Sequence, residues 1–161
     1  MKRIEPGPNQ ESVWDYPRPP ALEDVDKELK VEFNGAIIAE TDSGKRVLET
    51  SQPPAYYFPP EDVNKQFLAK LKEFTYCEWK GHAYYYDIMV GEQTAEKAAW
   101  FYPEPNEKYK SLKNYVAFYP NPLRCFINEE KVKRQEGRFY GGWITDNIVG
   151  PFKGGPGTAG W

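Results

Sequence analysis

Three times in this chain an aromatic pair runs straight into prolines: Tyr57-Phe58-Pro59-Pro60, Phe101-Tyr102-Pro103-Glu104-Pro105 and Phe118-Tyr119-Pro120-Asn121-Pro122. Aromatic side chains suit the pleated, half-buried surface of a strand, and proline cannot donate to a ladder, so each junction reads as a strand that stops. The spacings between them are unequal, which excludes a repeat family. This is one way of ending strands, used three times. Composition agrees, with 16% aromatic residues and 15 prolines. At 161 residues the chain is long enough to bury a core as one domain. The expected fold class is mainly β.

Formal net charge is −3 with acidic and basic residues interspersed, which gives no electrostatic case for nucleic acid or an anionic membrane as partner. Apolar runs are only a few residues long, so none spans a bilayer as a helix. The opening Met1-Lys2-Arg3-Ile4-Glu5-Pro6-Gly7 lacks the apolar stretch of a secretory signal. A cytoplasmic location is therefore expected, with the two cysteines, Cys77 and Cys125, as reduced thiols.

Residues 1–29 carry five prolines and no periodicity, and read as an extended arm laying Trp14 and Tyr16 on the body. Arg18, between two Pro-containing steps, is placed either to grip an acidic group or to serve as an ordinary surface ion-pair partner. A β-rich core domain is expected over 30–136. In it Asn34-Gly35 signals a type I′ hairpin, and a turn at Asp42-Ser43-Gly44 extends this to a three-stranded meander. Residues 55–58 make the next strand. Beyond Pro59-Pro60, the four-residue recurrence of Val63, Phe67 and Leu71, with Glu61 and Asp62 in the first turn, predicts an α-helix over about 61–73. Further strands are expected at 98–102 and 115–119, a pair at 123–127 and 131–133, and a short helix at about 105–113.

Residues 137–161 hold eight of the 13 glycines and read as an aromatic tail that packs on the core or on a second subunit. Gly154-Gly155-Pro156-Gly157 lacks the strand, the Lys-Ser/Thr and the helix of a phosphate-binding loop.

The stretch Thr75 to Tyr86 concentrates chemistry: one cysteine, the single histidine, a tryptophan and four of the 12 tyrosines. A tight turn at Lys80-Gly81 sets Trp79 opposite His82 and Cys77 opposite Tyr84. It puts Thr75, Cys77, Trp79, His82, Tyr84 and Tyr86 on one face. From this, three readings stay open. Tyr57, Trp79, Tyr84, Trp100 and Tyr102, with Lys80 contributing charge, line an aromatic cleft that binds a small molecule. Alternatively the chain is an enzyme with catalytic candidates Cys77, His82 and Lys80, the imidazole activating the thiol or acting with the amine in acid–base work. Or the aromatic arm and tail build a homo-oligomeric interaction module. Core packing explains the same aromatics equally well. Cys77, Cys125 and His82 are too few and too scattered for a zinc site, so no metal and no cofactor is expected.

The blocks Tyr57-Phe58-Pro59-Pro60-Glu61-Asp62-Val63, Cys77-Glu78-Trp79-Lys80-Gly81-His82-Ala83, Ala98-Ala99-Trp100-Phe101-Tyr102-Pro103 and Val116-Ala117-Phe118-Tyr119 resemble the signatures of the bacterial family catalogued as domain of unknown function 427. The common body corresponds to about 31–119, and the arm and tail resemble those of its longer members. The resemblance implies a small fold of bent antiparallel sheets similar to the β-tent class, whose members bind small molecules between two sheets. It also brings a nucleotidyltransferase label. The residues give that label no support, since there is no Gly-Ser followed by paired metal-binding aspartates and Asp87 has no close acidic partner.

Overall fold

The computed structural model describes residues 2–137 and 139–161 and is mainly β. In chain order the strands are β1 (Glu11–Ser12), β2 (Ala21–Asp24), β3 (Leu29–Phe33), β4 (Ala36–Thr41), β5 (Lys45–Leu48), β6 (Ala55–Phe58), β7 (Leu68–Cys77) and β8 (Gly81–Val90). They continue as β9 (Gln93–Phe101), β10 (Val116–Phe118), β11 (Arg124–Ile127), β12 (Glu130–Lys131), β13 (Lys133–Arg134), β14 (Trp143–Ile144) and β15 (Ile148–Val149). Seven form one antiparallel sheet in the order β2-β5-β6-β10-β9-β8-β7, and four form a second in the order β12-β11-β3-β4. No helix among the described residues is long and apolar enough to cross a membrane.

The Asn34-Gly35 turn closes β3 onto β4 with Phe33 opposite Ala36, and both turn residues take the positive φ that type I′ geometry demands (47° and 81°). The expected third strand of that meander goes elsewhere: β5 crosses to the other sheet and pairs with β2 and β6. Val47 and Leu48 are apolar at successive positions, so β5 needs burial on both faces. The seven-stranded sheet supplies this, Val47 packing in one cluster and Leu48 in another.

The α-helix expected over 61–73 is absent. Two single 3-10 turns, Pro60–Asp62 and Lys65–Phe67, lead directly into β7. A four-residue apolar recurrence is an even number and so fits the period of a strand as well as that of a helix. Here the β-prone Phe74-Thr75-Tyr76-Cys77 and pairing with β8 decide between them. The short helix near 105–113 is a 3-10 segment, Glu107–Leu112.

The aromatic-proline junctions have a simple logic. Phe58, Phe101 and Phe118 point to the core between the two sheets, where they meet Val31, Ile38, Ile88 and Cys125. Tyr57, Tyr102 and Tyr119, each adjacent to one of those phenylalanines, belong to a separate cluster on the outer face of the seven-stranded sheet. In every pair the phenyl ring takes the dry side and the phenol the other.

Neither terminal stretch stands apart from the body. Strand β2 belongs to the large sheet, and β1 pairs in parallel with β15 near the other end of the chain. Arg18 donates to the Trp161 carbonyl oxygen at 2.7 Å, and Trp14 meets Trp161 edge to face at 5.3 Å. Trp143 is fully buried against Tyr56 and Phe58, its indole N–H donating to the Phe118 carbonyl at 2.9 Å. Replacing Trp143 with Ala is expected to lower the unfolding free energy by about 3–5 kcal/mol, read from urea unfolding midpoints. An unchanged midpoint would show that the tail is not part of the core.

Candidate ligand-binding cleft

The hairpin at 75–86 forms with a different register from the one its sequence suggests. Tyr76 stands opposite His82, Thr75 opposite Ala83 and Cys77 opposite Gly81, leaving Glu78-Trp79-Lys80 as the turn. The displacement is an odd number of residues, so the two faces are exchanged for one strand relative to the other. Three hydrogen bonds from Asn106 set this turn: its side-chain amide donates to the Trp79 and Glu78 carbonyls (2.9 and 3.3 Å), and its backbone N–H to Lys80 O at 2.9 Å. A partner so distant in sequence is invisible to hairpin spacing.

The consequence separates the candidates. Cys77 and Thr75 share the outer face with Ala83 and Tyr85, whereas His82 and Tyr84 lie on the reverse side with Phe74. His82 is exposed, its ring centroid 5.3 Å from that of Phe74 and 5.0 Å from that of Tyr76. Neither a Cys77–His82 pair nor a Lys80–His82 acid–base pair is therefore assembled. Tyr84 packs toward Phe101 and the core, and does not line the cleft. Cys125 is buried between the sheets, where removal from water pushes its thiol pKa up, so Cys77, His82 and Cys125 occupy three separate places.

Tyr57, Trp79, Lys80, Trp100 and Tyr102 do come together. They line a cavity of about 310 Å³ on the outer face of the large sheet, with Tyr85 and Cys77 from the hairpin. The walls are braced by their own contacts. The Trp100 indole N–H donates to Tyr57 Oη at 3.2 Å, Tyr57 lies edge-on to Trp100 (6.1 Å) and 6.4 Å from Tyr102, and Thr75 Oγ1 bonds Tyr85 Oη at 2.7 Å. Burial raises the phenol pKa of both Tyr57 and Tyr102, so both keep their protons at neutral pH and can donate.

Lys80 supplies the charge. Its Nζ lies 5.9 Å from the Tyr102 ring centroid and has no salt-bridge or hydrogen-bond partner among the described residues. Burial works against this ammonium, but its interactions with the neighbouring Tyr57, Cys77 and Glu49 outweigh burial and the net shift of its pKa is upward. A raised pKa means that the charge is present throughout the neutral range and is lost only in strong alkali.

Part of the cleft wall was unreadable from the chain order. The tail passes over Trp100 at Gly141, where a Cβ would sit 2.6 Å from the indole Cζ3, so only glycine permits the approach. Buried Gln135 pins this roof: its amide donates to Gln52 Oε1 (2.7 Å) and Lys153 O (2.5 Å), and its oxygen accepts from Gly142 N at 3.2 Å. The Gly141-Gly142 dipeptide was the one available signal. A larger depression of about 760 Å³ lies near β2 and β5, where Arg46 is paired with Glu23 (2.9 Å) and Lys45 with Asp24 (2.5 Å).

A family model labelled NTP_transf_9 and described as Domain of unknown function (DUF427) matches residues 21–131, well over half of the chain. No curated protein matches the chain.

The two thiols provide a direct check on the geometry. With Ellman's reagent the native protein is expected to liberate one equivalent of thionitrobenzoate by mixed-disulfide formation at half-buried Cys77, and a second only on unfolding, at Cys125. Silence of both thiols in the native state would mean that the cleft is closed to solvent.

Proposed function

The chain belongs to the DUF427 family, and on that footing we propose that it binds a small planar molecule in the cleft of Tyr57, Trp79, Lys80, Trp100 and Tyr102. The observation that carries this reading is the Lys80 ammonium: a charge set among aromatic rings with no carboxylate against it. That ammonium has no direct hydrogen-bond partner among the described residues, and a ligand bearing a carbonyl, phenolate or carboxylate oxygen supplies one. Aromatic walls around a few convergent polar groups are the usual make-up of a small-molecule site, and about 310 Å³ suits a one- or two-ring compound. The ring system lies against Trp79 and Trp100 while the Tyr57 and Tyr102 hydroxyls offer further hydrogen bonds.

Catalysis by Cys77 finds less support, because no imidazole stands beside the thiol. The oligomer reading keeps part of its residues: Trp14, Trp143 and Trp161 are engaged within the chain's own body, while Phe139 and Tyr140 of the tail stay exposed. The transferase wording in the family label draws no help from the cleft, whose charged groups are Lys80, Lys153, Glu49 and Glu78 rather than paired aspartates. Both cysteines are free thiols, which fits residence in the reducing cytoplasm.

A metabolite panel followed by thermal shift tests the reading. At least one planar compound with an acceptor group is expected to raise the wild-type melting temperature by several degrees at saturating concentration. Trp79→Ala and Lys80→Met are expected to fold with little change in their own melting temperature and to lose that response. Stabilisation that survives both substitutions would place the ligand elsewhere.

A further inference from the structure

The cleft has a neighbour. A second cavity, of about 460 Å³, lies beside it on the same face, and the two share Tyr85, Tyr119, Gln135, Phe139 and Tyr140 in their walls. The remainder of its lining includes four polar or charged residues, Lys97, Arg134, Glu96 and Asn121.

Lys97 is brought there by an irregularity in the sheet. The β8–β9 pairing slips between Tyr86 and Ile88, and Lys97 takes a φ of 50° in the middle of β9. A residue with a Cβ adopts that conformation reluctantly, and bulges of this kind re-aim a side chain out of the regular alternation. Asp87 holds the bulge by accepting the Lys97 backbone N–H at 2.7 Å. The side chain then crosses the Tyr85 ring, with Nζ 4.7 Å from its centroid. The carboxylate it meets, Glu73 at 3.4 Å, is well exposed, and such a pair is weak. Arg134 touches the Gln135 carbonyl at 3.4 Å and has no salt-bridge partner among the described residues.

We infer that the occupant of the cleft is longer than the cleft itself: its ring lies in the inner cavity and an acidic group, carboxylate or phosphate, extends into the outer one to meet Lys97 and Arg134. The inference rests on the inner cavity being a ligand site. Among the described residues that line the outer cavity, Lys97 and Arg134 stand with one carboxylate, Glu96, and the Glu73 partner of Lys97 is exposed, so an added negative group improves the balance. A guanidinium beside an ammonium suits an oxyanion, the first gripping two oxygens and the second acting as a point charge.

Three probes separate the possibilities by tryptophan fluorescence titration: 2-naphthol for the ring alone, 4-(2-naphthyl)butanoate for ring plus acid, and the corresponding primary amide as a neutral isostere. The acid is expected to bind wild type at least tenfold more tightly than the amide. Lys97→Met with Arg134→Met should bring acid and amide to equal affinity while leaving 2-naphthol unchanged, and Arg134→Met alone should remove part of the preference. Equal binding of acid and amide to wild type, or a preference that persists in the double variant, overturns the inference while leaving the inner site standing. Failure of all three probes, 2-naphthol included, removes the inner site and the inference together.

Discussion

Alternation across one pleated layer, formed by β6, β10 and β9, is the constraint on which the rest of the structure depends. Neighbouring residues on a strand must face opposite sides, yet at 56–58, 100–102 and 116–118 every residue is apolar or aromatic and buried. Such strands are stable only if both sides of the sheet are covered. The four-stranded sheet covers one side with an aliphatic and phenyl core. The other side is covered incompletely, by the Glu107–Leu112 segment, the stretch around Pro53 and the tail, and the gap in that cover is the cleft. An ammonium is tolerated on the outer side because that side is not sealed, and it would be costly on the inner one.

The cleft also depends on two features far apart in the chain. Asn106 holds the turn at Glu78-Trp79-Lys80 and thereby decides which side of the hairpin carries the thiol. Gln135 and the glycines at 141 and 142 bring the tail close over Trp100 without filling the space in front of it. These are positioning interactions, and the chemistry they position is modest: rings, hydroxyls, one thiol, two lysines and two glutamates. Such a set is suited to recognition more than to bond making.

Much of this architecture was legible in the sequence. The Asn34-Gly35 hairpin, the aromatic strands halted by proline and the mainly β class follow from turn chemistry and strand propensity, which act locally. Five of the six residues expected to line the cleft do so, because Tyr57, Trp100 and Tyr102 are fixed by strands whose parity the prolines mark. The failures were of two physical kinds. Val63, Phe67 and Leu71 recur at a spacing that two periods share, so local pattern could not tell a helix from a strand. Tyr84 and His82 were assigned to the wrong face because an odd change of register reverses every side chain, and the tie that sets that register comes from Asn106. The departure of β5 from its meander, the burial of Trp143 and the role of Gln135 are long-range packing outcomes that no window of sequence contains.

Crystals soaked with a library of one- and two-ring fragments would test the central claim most directly. The account predicts density for ring compounds against Trp79 and Trp100, with an acceptor atom within about 3.2 Å of Lys80 Nζ, the reach of a hydrogen bond. Fragments found only outside the cleft, or a cleft occupied by the side chains of Phe139 and Tyr140, would contradict it.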